Sequence, residues 1–134
     1  MIVHLNVSTS GQGLHLITAE IEAAVRKSSV HEGLCTVFLR HTSASLLIQE
    51  NADPSARHDL ERWLERLAPE GDPIYTHVYE GPDDMPSHIK AALTATSLAI
   101  PVDQGRLMLG TWQGIYLWEH RHDGERREIV VHIA

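Results

Sequence analysis

Alternating apolar and polar positions open the chain. Over residues 2–8, three apolar side chains alternate with polar ones, which predicts a half-buried strand. The apolar run 34–40 predicts a second strand. Its period of two places the next residue, His41, on the inward face.

Three further segments begin with helix-start signals and then carry apolar residues at helical spacing. Thr18 is a candidate cap for a helix over 19–28, and Asp53 with Pro54 starts a second helix. The Asp-Asp-Met-Pro segment 83–86 starts a third. The residues predicted to face inward are Ile21, Ala24 and Val25 in the first helix, Ala56, Leu60, Trp63, Leu64 and Leu67 in the second, and Ile89, Ala92, Leu93 and Thr96 in the third.

Two predicted strands, 111–121 and 126–133, close the chain. They are joined by Asp123-Gly124, which is among the strongest short hairpin signals. The order of strand, helix, strands, two helices and strands is typical of the α+β class. We therefore expect a single domain over residues 1–134, with a mostly antiparallel sheet and about three helices.

Composition and charge narrow the possible partners. The 43% of hydrophobic and 22% of charged residues are usual for a globular protein. A net charge of −7 without a Lys/Arg run disfavours a nucleic-acid partner. No stretch approaches the ~20 apolar residues of a membrane span, so we expect no membrane partner. The single Cys35 lies in an apolar run and is expected to be an inert core residue in a reducing compartment, the cytoplasm.

Ten histidines are many for this length, and histidine both titrates near neutrality and binds metals. His41 is followed by the hydroxyls of Thr42 and Ser43, which could hold an anion, although a histidine ending a buried strand is more often a core residue. His88 lies near the start of the third predicted helix, behind two aspartates, where an anion is favoured. A plain capping role is the alternative there.

The last predicted turn is flanked by charged and titratable residues. Glu119 and Arg121 share the face of the apolar residues that precede them, and a solvated ion pair would be the ordinary interpretation. His120 and His122 have a spacing that could clamp a metal from one strand face, but their position beside the turn favours exposure.

These residues belong to longer motifs. Residues 97–117, SLAIPVDQGRLMLGTWQGIYL, resemble the signature of the YjbQ family. Similar to family motifs are also HTSA at 41–44, ENADP at 50–54, EGPDDMPSHIK at 80–90, and Glu119 with Arg121. The resemblance implies an α+β subunit that forms a homotrimer with pockets near the subunit boundaries. It also implies a weak thiamine-phosphate synthase activity, which joins hydroxymethylpyrimidine diphosphate to a thiazole phosphate and releases pyrophosphate.

The resemblance implies a site for a small phosphorylated ligand as well. Departing pyrophosphate needs cations or hydrogen-bond donors, and carboxylates could hold a divalent metal, Mg or Zn. The expected catalytic residues are His41, His88, Glu119 and Arg121; the expected phosphate-binding residues are Thr42, Ser43, Asn51, Asp53 and Arg121; the expected metal ligands are His41, His77, Asp84 and His88.

Two positions depart from the family pattern. Trp118 stands where cysteine is frequent, which excludes a nucleophile at that position. His120 stands where phenylalanine is frequent, which strengthens the expectation of an exposed or neutral histidine.

Two other classes of function stay open. One is a metal- or anion-binding trimer with a different substrate, for which the synthase reaction is incidental. The other is a structural or partner-binding trimer, which is disfavoured because a scaffold gains little from burying charged groups. Tight zinc through histidines would indicate a hydrolytic or binding site, and weak magnesium through carboxylates would suit diphosphate departure.

Overall fold

Two antiparallel sheets and three helices make up residues 1–134, all of which the computed structural model describes. The larger sheet consists, in spatial order, of β1 (Ile2–Ser8), β8 (Arg126–Ile133), β3 (Gly33–Leu39), β5 (Ser97–Asp103) and β6 (Arg106–Leu107). The smaller consists of β2 (Gly13–Leu16), β7 (Gln113–Glu119) and β4 (Ala44–Glu50). The helices are α1 (Thr18–Ser28), α2 (Pro54–Leu67) and α3 (Asp84–Leu93). The predicted α+β class with about three helices is confirmed.

The main hydrophobic core lies between the facing sides of the two sheets and is joined by α1. Alternate residues of β3 and β8 point into it from the larger sheet, and alternate residues of β7 point into it from the smaller. Cys35 is fully buried in this core, as expected from the apolar run around it. Its buried members include Val37, Leu39, Leu46, Ile115, Leu117, Ile129, Val131 and Ile133.

A second, smaller core covers the other side of β7. Tyr116 and Trp118, which alternate with the residues of the main core, pack there with Leu14 of β2 and Leu64 of α2. β7 is therefore buried on both faces, and the residues that follow it start from a fixed position.

The predicted hairpin between the last two strands is wrong. β7 pairs with β2 and β4 in the smaller sheet, whereas β8 pairs with β1 and β3 in the larger one. The turn itself is present, with Gly124 at a φ of 70°. Both strands already have two neighbours, so residues 120–125 carry the chain from one sheet to the other. A turn signal gives the reversal of the chain and does not give the strand partner.

The helix starts were predicted better than the helix faces. The buried residues of α1 are the predicted Ile21, Ala24 and Val25, and Asp53 caps α2 by accepting a hydrogen bond from the Ser55 amide at 2.9 Å. Thr18 is no cap, because its hydroxyl accepts a hydrogen bond from the amide of β7 residue 115 at 2.9 Å.

The apolar face predicted for α2 is partly confirmed, and that predicted for α3 is largely wrong. In α2, Leu64 is buried and Leu60 packs against the smaller core. Ala56 is half-buried, whereas Trp63 and Leu67 are more than half exposed. Of the residues expected inward in α3, Ile89 is half-buried, and Ala92, Leu93 and Thr96, which lies beyond its end, are exposed. The buried residues of α3 are instead Asp84, Pro86, Ser87 and Lys90, because two of them have charged partners on other elements.

None of the three helices is both long and apolar enough to span a membrane.

Candidate functional site

Four titratable side chains converge where the connection after α2 enters α3. One ligand atom from each of His77, Glu80, Asp84 and His88 lies within 4.8 Å of every other. The Nε2 atom of His77 is 2.7 Å from Asp84 Oδ2 and 3.2 Å from Glu80 Oε2, and the Nε2 atom of His88 is 3.0 Å from Asp84 Oδ2. We call these four residues the His-acid cluster.

The backbone explains how the cluster forms. Asp84 and His88 are four residues apart on α3, so their side chains share one helix face. His77 and Glu80 come from the preceding connection, which folds back over the start of the helix.

Arg121 ties the cluster to the smaller sheet. Its Nη1 atom donates to Asp84 Oδ1 at 2.6 Å, its Nε atom to Asp83 Oδ2 at 2.9 Å, and its Nη2 atom to the Glu80 carbonyl at 2.9 Å. Asp83 also accepts a hydrogen bond from the His122 amide at 2.8 Å. One oxygen of Asp84 therefore faces the guanidinium, and the other is left to the two imidazoles.

The ring nitrogens of His88 both face acceptors. Nδ1 is 2.8 Å from the carbonyl oxygen of Thr42, which accepts hydrogen bonds only, so Nδ1 carries a proton. Nε2 faces the carboxylate of Asp84. The ring must be an imidazolium in this arrangement, or a cation must lie between Nε2 and the carboxylate. A backbone carbonyl on the outer nitrogen is one of the common supports of a metal-binding histidine.

The charges shift the pKa values in a consistent way. The hydrogen bond to Asp84 raises the pKa of His77, and the neighbouring Glu80 charge adds to this effect. Burial raises the pKa of Asp84, but the hydrogen bond with His77 and the charges of His88 and Arg121 outweigh burial and hold that pKa below its ordinary value. Asp84 is therefore an ionised carboxylate at neutral pH.

Of the residues expected from sequence, His77, Asp84, His88 and Arg121 lie together, and Thr42 joins them through its carbonyl group. His41 lies in a different part of the fold, beside β8. Its Nε2 atom accepts a hydrogen bond from the Glu128 amide at 2.8 Å, and its Nδ1 atom lies 3.2 Å from Arg127 Nη1. His41 is half-buried beside β8 and is not part of the His-acid cluster.

Glu119 also lies outside the cluster. Its carboxylate is buried and forms a bidentate ion pair with buried Arg127, rather than with Arg121. The expected shared face of Glu119 and Arg121 does not form, because β7 ends at Glu119. The Arg121 side chain points to the aspartates, and only its amide hydrogen-bonds to Glu119, at 3.2 Å.

The remaining expected phosphate-binding residues make no hydrogen bond to the cluster. Asn51 packs against Gly114 and Asp53 caps α2. Ser43 is buried, and its carbonyl accepts a hydrogen bond from Arg127.

The expected exposure of His120 is wrong. The side chain is 1% exposed, and its Nε2 atom lies 2.9 Å from Ser45 Oγ. His122, two residues later, is half-exposed and contacts Glu70. The period of two continues for one residue beyond β7, which puts His120 beside Trp118 in the smaller core.

Comparison with known proteins gives the family. A family model described as UPF0047 protein YjbQ-like matches residues 3–134. The chain belongs to this family.

Relatives and solved structures agree with this. UPF0047 protein sll1880 of Synechocystis is 54% identical over 97% of this chain and 88% of its own length. UPF0047 protein YjbQ of Escherichia coli O157:H7 is 50% identical over 94% of this chain and 92% of its own length. The structure of a YjbQ/UPF0047-family protein from Clostridium acetobutylicum is 36% identical, with a TM-score of 0.90 over 98% of this chain and 99% of that one. The conserved hypothetical protein TT1486 of Thermus thermophilus is 38% identical, with a TM-score of 0.88 over 98% of this chain and 99% of that one.

Sequence reasoning missed Glu80 in this YjbQ-like chain. The signal was available as a spacing, because His77, Glu80, Asp84 and His88 follow one another at intervals of three, four and four, which places all four on one side of a helical path. The helix begins only at Asp84. The first two residues reach the cluster from a connection whose course no periodicity predicts.

Proposed function

We propose that the His-acid cluster binds a divalent transition metal and that this metal site binds a small phosphorylated ligand. The observation that carries the proposal is the double-acceptor environment of His88. The Thr42 carbonyl fixes a proton on Nδ1, so a ring that has lost its Nε2 proton directs the Nε2 lone pair toward the Asp84 carboxylate. Nitrogen and carboxylate oxygens that face one another without a proton require a cation between them.

The ligand types favour zinc over magnesium. Two imidazoles and two carboxylates form a mixed nitrogen and oxygen set, which suits zinc and related transition metals. Magnesium prefers oxygen ligands and keeps several waters. The set therefore supports a binding or hydrolytic site more than a weak magnesium site.

An anionic ligand also fits the local charge. Arg121 is committed to Asp83 and Asp84, so it balances carboxylates and is not free to bind a phosphate alone. A bound divalent ion would supply the positive charge that phosphate oxygens need.

The family motifs add a specific reaction, thiamine-phosphate synthase, as the second proposal. In it the cluster would hold the metal that binds the diphosphate of hydroxymethylpyrimidine diphosphate, and Arg121 would keep the carboxylates of Asp83 and Asp84 in position. The proposed roles of His41 and Glu119 in that reaction are indirect within one chain, since neither belongs to the cluster.

The metal proposal is tested on metal-free protein by calorimetric titration with zinc, manganese and magnesium. We expect zinc to bind most tightly, and we expect His77→Ala and His88→Ala to weaken zinc binding at least ~10-fold. His31→Ala is the matched control, because His31 is exposed and lies outside the cluster. Equal zinc affinity in all four proteins would contradict the proposal.

The reaction is tested separately, with zinc-loaded and magnesium-loaded protein and the two thiamine precursors. Product that forms with the unmodified protein and is lost in His88→Ala would support the synthase. Metal binding without product would leave a metal site with another phosphorylated substrate.

We also propose a homotrimer, which the family resemblance implies. In support, Ile2, Leu34 and Phe38 expose large apolar side chains on the outer face of the five-stranded sheet. Such faces are commonly covered in an assembly. Light scattering should give three times the 15.0 kDa chain mass, and Phe38→Asp should lower it. A monomer at micromolar concentration would contradict the trimer.

A further inference from the structure

A cleft of about 890 Å³ opens between α2 and the end of β7, away from the His-acid cluster. Its lining includes Trp63 and Glu65 of α2, Lys90 of α3, and Trp118 and His120. It shares no residue with the His-acid cluster, although α3 contributes to both. The cleft is thus a separate place at which the chain could hold a ligand.

Lys90 brings a buried positive charge to this cleft. It is only 2% exposed, and its ammonium group has a single hydrogen-bond partner, the carboxylate of Glu65. An ammonium group has three donors, and burying one is unfavourable unless it is paired. Glu65 itself is half-exposed, so its carboxylate can leave Lys90 and enter water.

His120 brings a hydrogen-bond donor. The buried Ser45 hydroxyl makes one hydrogen bond, to His120 Nε2 at 2.9 Å, so its proton is satisfied only if Nε2 accepts. The imidazole proton is then on Nδ1. That atom makes no hydrogen bond within the chain. Every side-chain nitrogen that is wholly inaccessible to solvent has a partner, so Nδ1 keeps a small accessible surface, and His120 lines the cleft.

We propose that this cleft binds a small molecule through an oxyanion, a carboxylate or phosphate, which the Lys90 ammonium and the His120 Nδ1–H receive. The Glu65 carboxylate occupies the oxyanion position when the ligand is absent. Trp118, whose ring centroid is 5.6 Å from that of His120, offers an apolar wall for the remainder of the ligand.

The cleft lining carries charges of both signs, and the carboxylate of Glu119 is already paired with Arg127. Burial, together with the charges of Lys90 and Arg127, lowers the pKa of His120 to about 3, so its ring stays neutral and keeps a single proton. Arg62 and Arg66 add positive charge to the rim, where Asp59 and Glu61 oppose them. Glu61 is partly occupied, because it accepts a hydrogen bond from the Leu14 amide at 3.2 Å.

The proposal is independent of the metal site, and the experiment keeps the two apart. Nitrogen-15 NMR of the histidine side chains is recorded on His77→Ala protein, in which the His-acid cluster is impaired, during titration with inorganic phosphate and then with acetate. We expect a His120 ring protonated at Nδ1 before titration, and a shift of that nitrogen on addition of phosphate, acetate or both. The anion that binds more strongly identifies whether the acid group of the ligand is a phosphate or a carboxylate.

Two substitutions should change the affinity for the anion in opposite directions. Glu65→Gln removes the competing carboxylate and should tighten anion binding about tenfold, and Lys90→Met should weaken it by a similar factor. Glu22→Gln, on an exposed part of α1, is the control and should change nothing. Thermal unfolding checks that the Lys90 variant folds.

The opposite results overturn the proposal. A ring protonated at Nε2, a His120 signal indifferent to both anions, or a Glu65→Gln variant that binds no more tightly than Glu22→Gln would each do so. Glu65 is half-exposed, so its replacement tests the proposal even where the Lys90 variant does not fold.

Discussion

The buried ion pair between Glu119 and Arg127 supports the segment that carries both candidate sites. Arg127 Nε donates to Glu119 Oε1 at 2.8 Å, and a second bond joins Arg127 Nη2 to the other carboxylate oxygen. That same oxygen accepts hydrogen bonds from the amides of His120 at 3.1 Å and Arg121 at 3.2 Å. The pair therefore fixes the backbone of His120, which lines the cleft, and of Arg121, which contacts the His-acid cluster.

Replacing Arg127 by Met leaves the Glu119 carboxylate buried without its counter-charge. Both side chains are at most 1% exposed, so solvent screens the interaction little. Breaking a buried pair by removing one partner costs about 3–5 kcal/mol, mainly through the uncompensated charge. For a chain of this size we expect the melting temperature to fall by about 10–20 °C.

The loss should depend on pH in a defined direction. Burial is the largest influence on the Glu119 carboxyl and raises its pKa, but hydrogen bonds from Arg127 and Thr9 outweigh it and hold the pKa below the ordinary 4.5. In the unmodified protein this stabilisation is present above the unfolded pKa and is lost as the pH falls through the folded one. In Arg127→Met the effect of burial prevails and the pKa of Glu119 rises. As the pH falls, the Glu119 carboxylate is therefore protonated in the variant before it is protonated in the unmodified protein, and the uncompensated charge disappears. The difference between the two proteins should narrow as the pH falls from about 7 toward 4.5.

Denaturant unfolding at fixed protein concentration, repeated across this pH range, measures the effect. Arg40→Met is the control, since Arg40 pairs with Glu128 at the surface, and exposed pairs contribute about 0–1 kcal/mol. Replacing both partners, with Glu119→Leu added to Arg127→Met, should recover much of the loss. An Arg127→Met protein no less stable than Arg40→Met, or a difference that widens in acid, would refute the reasoning.

Three further outcomes follow from particular residues. Zinc affinity should fall as the pH drops, beginning above the ordinary histidine pKa of 6.5, because the raised pKa of His77 lets protons compete earlier; calorimetry across pH measures this. The thiol of Cys35, whose pKa burial raises to about 11, should resist a thiol reagent in native protein and react on unfolding, as absorbance of the released chromophore would show. Gly114→Ala would bring a methyl group within 2.8 Å of the Asn51 Cβ and should cost about 1–3 kcal/mol in denaturant unfolding. Gly110→Ala, whose methyl group would meet no atom closer than 3.4 Å, should have little effect.

Local signals in the sequence predicted local structure well. The alternation over the first strand, the inward face of α1 and the Asp53-Pro54 start of α2 are all present, because each depends on residues within one element. Cys35 is buried for the same reason, since its neighbours alternate across β3.

Predictions that depended on partners from elsewhere in the chain were less successful. Asp123-Gly124 turns the chain, yet β7 and β8 enter different sheets, because the neighbours of each strand come from distant segments. Glu119 was expected with Arg121, two residues away, and its partner is Arg127 in the other sheet. Periodicity gives the face of a strand and contains no information about the charge that meets it there.

The same limit applies to the candidate site, where the sequence predicted contacts within one helix and missed contacts from other segments. His88 and Asp84 were predictable as neighbours, since four residues separate them on one helix, and their family motif singled them out. Glu80 was not, because it reaches the cluster through an irregular connection. Nor could the sequence assign the Thr42 carbonyl to His88, since a backbone group carries no residue-type signal. Yet that contact fixes the imidazole proton and so makes the metal hypothesis specific. The contact on which the metal proposal rests thus comes from a main-chain oxygen, which only the fold places beside His88.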